Sequence, residues 1–270
     1  MEKKIVFLDL DGTVLNEEKV IPESTKKAVQ LLQDKGIYTV ISTGRAPQMF
    51  DWILKELNID SYVCINGQFV VFEGKEIYSN PLDPEMLHDI NNLAKSKGHA
   101  LAYCNHQHVK ASEENHPFIS ISFETLKMDY PMVDSYFYKH SPVYQGHLYC
   151  DIHDAQVYIE RYPEYNFVRW DEYAADILPK GCSKAIGIQK ILEAAGVKKE
   201  NSYAFGDGLN DLEMLTLVGT GIAMGNAVPE AKAAADFITT SCSEDGILNG
   251  LISLGLLEED HKNEIFSVAE

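Results

Sequence analysis

With 270 residues, 45% of them apolar, the chain can bury a sizeable core and is long enough for one or two domains, a core carrying an insertion among the possibilities. Lys plus Arg number 23 against 41 Asp plus Glu, a formal charge of −18 that no basic cluster interrupts, which argues against nucleic acid or an anionic membrane as partner. Cys64, Cys104, Cys150, Cys182 and Cys242 are odd in number, widely spread and without C-x-x-C spacing, so neither a disulfide frame nor a zinc site is indicated. The amino terminus lacks a signal-peptide pattern and no apolar run is long enough to span a bilayer, so a soluble cytoplasmic protein is expected.

The first element is the apolar run 5–8, which reads as a central parallel strand buried on both faces. It leads into Asp9-Leu10-Asp11-Gly12-Thr13, placing two carboxylates at a strand's carboxyl end, where open α/β sheets carry their chemistry. Strand periodicity sends Asp9 and Asp11 toward the same side. Gly12 permits a tight turn and close approach to a ligand, and Thr13 supplies a hydroxyl that can hold a carboxylate. Two acids beside a glycine turn suit Mg2+ and phosphate, although an Asp-Gly pair also marks an ordinary turn.

Pro22-Glu23-Ser24-Thr25 opens a helix whose apolar stripe includes Ala28, Leu31 and Leu32, and Gly36 closes it. Residues 37–41 form the next strand, which ends in Ser42-Thr43-Gly44-Arg45, a second hydroxyl and glycine at a strand's carboxyl end. Pro47 and residues 49–57 start a second helix, and 62–65 is a third strand ending in Asn66-Gly67. This alternation predicts an α/β, Rossmann-like core built on a doubly wound parallel sheet with right-handed crossovers.

From about residue 81 to 179 the texture becomes more aromatic, histidine-rich and polar. Helices are expected at 85–97 and 154–161, and short strands at 101–104, 147–152 and 167–170. We read residues 81–180 as an inserted α+β cap domain that splits the core into segments 1–80 and 181–270. Regular texture resumes at Gly181. A helix follows Ser183-Lys184 with Ile188, Ile191, Leu192 and Ala195 on one face and Gly196 as its stop. A strand at 203–205 ends in Gly206-Asp207-Gly208-Leu209-Asn210-Asp211, with further strands at 221–224 and 237–238. Glu244-Asp245-Gly246 reads as a turn, and 257–270 as a terminal cap or frayed end.

Taken in order, Asp9 to Thr13, Thr43-Gly44-Arg45, Lys184 and Gly206-Asp207 with Asn210-Asp211 resemble the four motifs of the haloacid dehalogenase (HAD) superfamily. Any one is a weak signal; four in order are a strong one. Arg45, the Asn66-Gly67 turn and the run from Gly206 to Asp211 are most similar to its Cof-type branch, whose large C2-type α/β cap lies between the second and third motifs and fits 81–180. The resemblance implies a Mg2+-dependent phosphatase acting on small phosphomonoesters, sugar phosphates or related metabolites. It makes Asp9 the nucleophile that forms an aspartyl-phosphate, and Asp11 the acid that protonates the leaving alcohol and the base that activates water. It assigns Mg2+ to the Asp9 carboxylate, the Asp11 carbonyl and Asp207. Phosphate falls to Leu10, Thr43, Gly44, Lys184 and Asn210, with Arg45 and Asn66 at the rim toward substrate and Asp211 orienting the lysine or a water of the metal. The cap, on linkers near Pro81 and Pro179, is expected to discriminate among leaving groups, and the molecule to be a monomer or homodimer.

These roles have a physical basis. Covalent catalysis splits one hard displacement into two easier ones, and a group that serves as acid and then base must lie close to both oxygens. Phosphoryl transfer asks mainly for positioning and charge neutralisation, which Thr43, the Gly44 amide and Lys184 can supply. Taken singly, Thr43-Gly44 also fits a plain turn, Lys184 a solvated lysine, and Asn210 or Asp211 a helix cap for 212–217. A phosphomutase would use the same nucleophile, but mutases of the superfamily usually carry a small helical cap after the first motif. Asp11 disfavours a dehalogenase. A non-catalytic phosphosugar-binding regulator is the rival from another class, and the joint presence of Asp9, Asp11, Lys184 and Asp207 argues against it. His106 and His108 could offer imidazoles to a metal but lack a third ligand, and residues 136–138 with Trp170 are expected to pack the cap core.

Overall fold

The chain opens with β1 (Ile5–Leu8), all four of whose side chains are excluded from solvent, as a strand covered on both faces requires. It continues through α1 (Glu23–Asp34), β2 (Tyr38–Ser42), α2 (Asp51–Glu56), β3 (Tyr62–Cys64), β4 (Phe69–Phe72) and β5 (Lys75–Ser79). Next come α3 (Pro84–Lys97), β6 (Ala100–Cys104), β7 (Val109–Ala111), α4 (Pro117–Thr125), β8 (Gln145–Tyr149), α5 (Gln156–Arg161), β9 (Tyr165–Arg169) and β10 (Ala174–Pro179). The last stretch holds α6 (Lys184–Ala195), β11 (Ser202–Gly206), α7 (Leu212–Leu217), β12 (Thr220–Ala223), α8 (Pro229–Ala234), β13 (Phe237–Ile238) and α9 (Gly246–Ser253). The computed structural model describes residues 2–260, so most of the terminal segment 257–270 lies outside the described residues. The chain divides into two units, one built from the residues up to Arg45, Met49–Tyr78 and those from Ser183 onward, the other from Ala46–Gln48 and Ser79–Cys182.

The first unit is a sheet of strand order β13-β12-β11-β1-β2-β3-β4-β5 with helices, a Rossmann-like core. Its strands from β13 to β3 run parallel. β4 returns antiparallel to β3, pairing Tyr62 with Val71 and Cys64 with Phe69. That reversal follows from loop length. Ile65 and Asn66 both have φ 51° and Gly67 has φ 88°, a tight left-handed turn, whereas a parallel partner would need a crossover of roughly a dozen residues. α1 buries Ala28, Val29 and Leu32 while Leu31 is only half-buried, and α6 buries Ile188, Ile191 and Ala195 before Gly196 ends it at φ 63°.

The second unit is a five-stranded antiparallel sheet in the order β7-β6-β8-β10-β9. α3 is capped by the Asp83 carboxylate, which accepts the Glu85 N–H at 3.0 Å, and it stops at Gly98. Leu87, Ile90 and Ala94 of α3 pack with Leu101, Tyr103, Leu148, Tyr158 and Ile177. A second cluster joins Ile119 and Phe123 of α4 to Ala100, Ala102, Tyr149 and Ala174, the alternate residues of β6, β8 and β10. Phe137 and Tyr138 are buried as the core reading requires, but Tyr136 is 52% and Trp170 37% exposed and neither belongs to the core. No helix among the described residues is long and apolar enough to cross a membrane.

Candidate active site

All the motif residues lie in the first unit, at the carboxyl ends of its strands and at the start of α6. Asp9 follows β1 and is tied to the neighbouring strand by its N–H, which donates to the Phe205 carbonyl at 3.0 Å. Asp207 follows β11. Gly12 has φ +79°, and a Cβ there would lie 2.3 Å from Asp207 Oδ2, so the close approach of this carboxylate to the first loop requires glycine on two counts. Thr13 Oγ1 donates to Asp207 Oδ1 at 3.1 Å, and Asn226 Nδ2 donates to the Gly12 carbonyl at 2.8 Å.

Lys184 is the pivot. Its side chain is fully buried, and its Nζ donates to Asp9 Oδ1 at 2.5 Å and to Asp211 Oδ1 at 2.6 Å. The other Asp211 oxygen accepts the N–H groups of Asp207 and Gly208, both at 2.9 Å, so this buried carboxylate is committed to holding the lysine and the loop. Gly67 brings the turn after β3 against the chain just before Lys184: a Cβ there would meet the Ser183 carbonyl at 2.1 Å. Burial alone would strip Lys184 of its proton, but Asp9 and Asp211 outweigh it and raise its pKa.

Asp9, Asp207 and Asp211 each offer an oxygen within 4.8 Å of the others, and among the described residues theirs is the one group of three or more potential metal ligands. His106 and His108 therefore gain no third ligand. One lysine faces three carboxylates. Burial first, then the neighbouring acids, push the Asp9 carboxyl up against the pull of Lys184; burial and the Asp211 charge raise Asp207 to about 6 despite the Thr13 hydrogen bond. Hard oxygen donors with unmet negative charge fit Mg2+, and with Asp211 already saturated, Asp9 and Asp207 are the carboxylates suited to hold it.

Asp11 sits apart from this cluster. β1 ends at Leu8, so strand periodicity does not carry through the turn, and Asp9 and Asp11 engage different partners. Arg45 grips Asp11 side-on, Nε to Oδ2 at 2.8 Å and Nη2 to Oδ1 at 2.6 Å, while Lys19 Nζ reaches Oδ1 at 2.8 Å. Partial burial works to raise the Asp11 pKa, but the two cations prevail and lower it. Thr43 is buried, its hydroxyl accepting the Arg45 N–H at 3.1 Å, and the Asn66 amide group stands against Gly44, where a Cβ would lie 3.0 Å from Asn66 Oδ1. Leu10 contributes main chain, its carbonyl accepting from Thr13 and Leu15. Asn210 stands exposed in the turn Leu209–Asp211 and joins none of these contacts. Lys19 and Asn226 are site residues that motif reading passes over; the one cue for Asn226 is a Gly-Asn pair just past a strand.

A model of the haloacid dehalogenase-like hydrolase family matches residues 6–251. The chain belongs to the haloacid dehalogenase-like hydrolases. YkrA of Bacillus subtilis (strain 168), a phosphatase by name, is 43% identical over 258 residues that cover 96% of this hydrolase and 100% of YkrA. Among solved structures, a Geobacillus kaustophilus HTA426 protein matches with TM-score 0.93 at 46% identity, over 94% of this chain and 100% of that one. The HAD subclass IIB sugar phosphatase BT4131 matches with TM-score 0.78 at 28% identity, over 94% of this chain and 100% of its own.

Proposed function

We propose that this hydrolase removes phosphate from small phosphomonoesters, sugar phosphates or related metabolites, through an aspartyl-phosphate on Asp9 and with Mg2+ at the carboxylate cluster. The observation that carries the reading is the buried Lys184 between Asp9 and Asp211 with Asp207 alongside. A buried ion pair is weak evidence for a stabilising role, and three acids on one cation leave an excess of negative charge that a metal cation can offset. Similarity to a sugar phosphatase supports the substrate class.

Asp9 and Asp207 would hold Mg2+, which would supply positive charge to offset the repulsion between carboxylate and phosphate. An Asp9 oxygen attacks phosphorus in line, the ester P–O bond breaks, and Asp11, which takes up a proton as it gives up a cation partner, delivers that proton to the departing alcohol. Asp11 then takes a proton from water, whose oxygen attacks the same phosphorus; the P–O bond to Asp9 breaks and inorganic phosphate leaves. Lys184, the Thr43 hydroxyl and the main-chain amides of Leu10 and Gly44 neutralise and orient the phosphoryl oxygens, with Asn210 on the same side. Arg45 and Asn66 face the alcohol, and the segment 81–180 is assigned the discrimination among alcohols.

Turnover of 4-nitrophenyl phosphate tests this. Chelation should abolish it and Mg2+ restore it, and Asp9→Asn should lower it at least about a thousandfold, roughly 4 kcal/mol of barrier, with circular dichroism unchanged. Full activity in metal-free protein, or in Asp9→Asn, overturns the reading.

A further inference from the structure

The turn at residues 16–20 closes on Asn16 and carries one cation, Lys19, beside the acids Glu17 and Glu18. Asn16 N–H donates to the Val20 carbonyl at 3.1 Å, the Lys19 N–H returns to the Asn16 carbonyl at 3.0 Å, and Asn16 Oδ1 accepts the N–H groups of Glu18 and Val20, each at 3.1 Å. Lys19 itself is held at φ 60°, in the left-handed region that an L side chain enters at a cost. From there its ammonium reaches Asp11 Oδ1, an oxygen that already accepts from Arg45.

A carboxylate gripped side-on by a guanidinium has its charge matched, so the second cation is an excess, and it stands in a chain of net charge −18. To reach the oxygen of a departing alcohol, Asp11 must give up at least one of these contacts. Lys19, with 60% of its side chain exposed against 23% for Arg45, is the partner more readily freed. A freed ammonium there would be hydrated by default, and an anionic group on the alcohol is the substrate feature that could take the place of Asp11 as its partner. Resting on the phosphatase reading above, we infer that Lys19 is a specificity-determining residue that receives a second anionic group, carboxylate or phosphate, on the alcohol part of the substrate.

Glycerol 3-phosphate, 3-phosphoglycerate and glycerol 1,3-bisphosphate share a three-carbon frame and differ in the second group: hydroxyl, carboxylate or phosphate. The native protein should show higher kcat/KM for the two compounds that carry a second anionic group. Lys19→Met should shrink that preference by about fivefold, the size of one partly exposed ion pair, with Lys19→Arg retaining it and Lys19→Glu reducing it further. A drop confined to one anion supports the inference and names the group. A preference that Lys19→Met leaves within about twofold of native, or no native preference for the second anion, overturns it. Calorimetric binding of the same compounds to Asp9→Asn, with and without Lys19→Met, reads the ratio without turnover. Lys19-dependent binding with no hydrolysis by the native protein would sink the phosphatase reading alone; hydrolysis indifferent to Lys19 would sink this inference alone.

Discussion

Lys184 keeps its ammonium in the interior because Asp9 and Asp211 both contact it, and each of those acids is tolerable there because the lysine is present. Replacing it with methionine leaves two buried carboxylates facing each other with no cation. Lys184→Met should therefore cost about 3–5 kcal/mol at neutral pH, read from urea unfolding. The sign with pH follows from Asp9, whose carboxyl burial already pushes up and which would lose the opposing pull of the lysine, so the penalty is present at higher pH and fades as pH falls and Asp9 protonates. A loss that stays constant on acidification would locate the cost in packing. Asp9, Lys184, Asp207 and Asp211 could be read from sequence because each sits in a motif beside a glycine or a helix start. Lys19 could not, since it is one of 23 basic residues and is placed by two N–H groups converging on Asn16, a geometry without spacing or period.

Between neighbouring strands, β8 and β10 set His147 directly opposite Asp176, with Nδ1 to Oδ1 at 2.8 Å. Burial alone would depress the imidazole pKa, but the Asp176 hydrogen bond, with help from Cys104, pushes it from 6.5 up to about 10. A histidine raised in this way contributes stability that is fully present below its unfolded pKa and is lost as pH climbs from 6.5 toward about 10. The contribution should be on the order of 2 kcal/mol, as for a hydrogen bond between charged groups. Urea midpoints of native and His147→Gln proteins should differ most near pH 6 and converge by about pH 10; a difference independent of pH rules out the charged pair. The strands β8 and β10 were unequally visible. His147 falls within an expected strand, whereas β10 and β7 carry little alternation to mark them. α4 explains why this segment resists reading: Phe118-Ile119-Ser120-Ile121-Ser122-Phe123 alternates as a strand would, yet it folds as a helix that buries Ile119, Ser122 and Phe123 at helical spacing behind Pro117. Packing against the sheet decides there, while in α6 the periodicity and the final Gly196 agree with the tertiary context.

At the scale of the whole molecule, 41 acids against 23 basic residues make stability sensitive to ions of any kind, so metal binding has to be separated from general screening. Asp9, Asp207 and Asp211 exist as a cluster only in the folded chain, and a cation held there by Asp9 and Asp207 stabilises by mass action, about 2.7 kcal/mol at a hundredfold excess over Kd. That corresponds to a rise in Tm of roughly 5–10 °C. Mg2+ should produce the rise beyond what KCl of equal ionic strength gives, and Asp207→Asn should remove it. Asp11→Asn makes the sharper control. Its side chain is held by Arg45 and Lys19 rather than by the cluster, so its loss should suppress hydrolysis while the Mg2+ shift survives. Equal shifts in native and Asp207→Asn proteins, or a native shift that KCl reproduces, would place the metal effect elsewhere on the acidic surface.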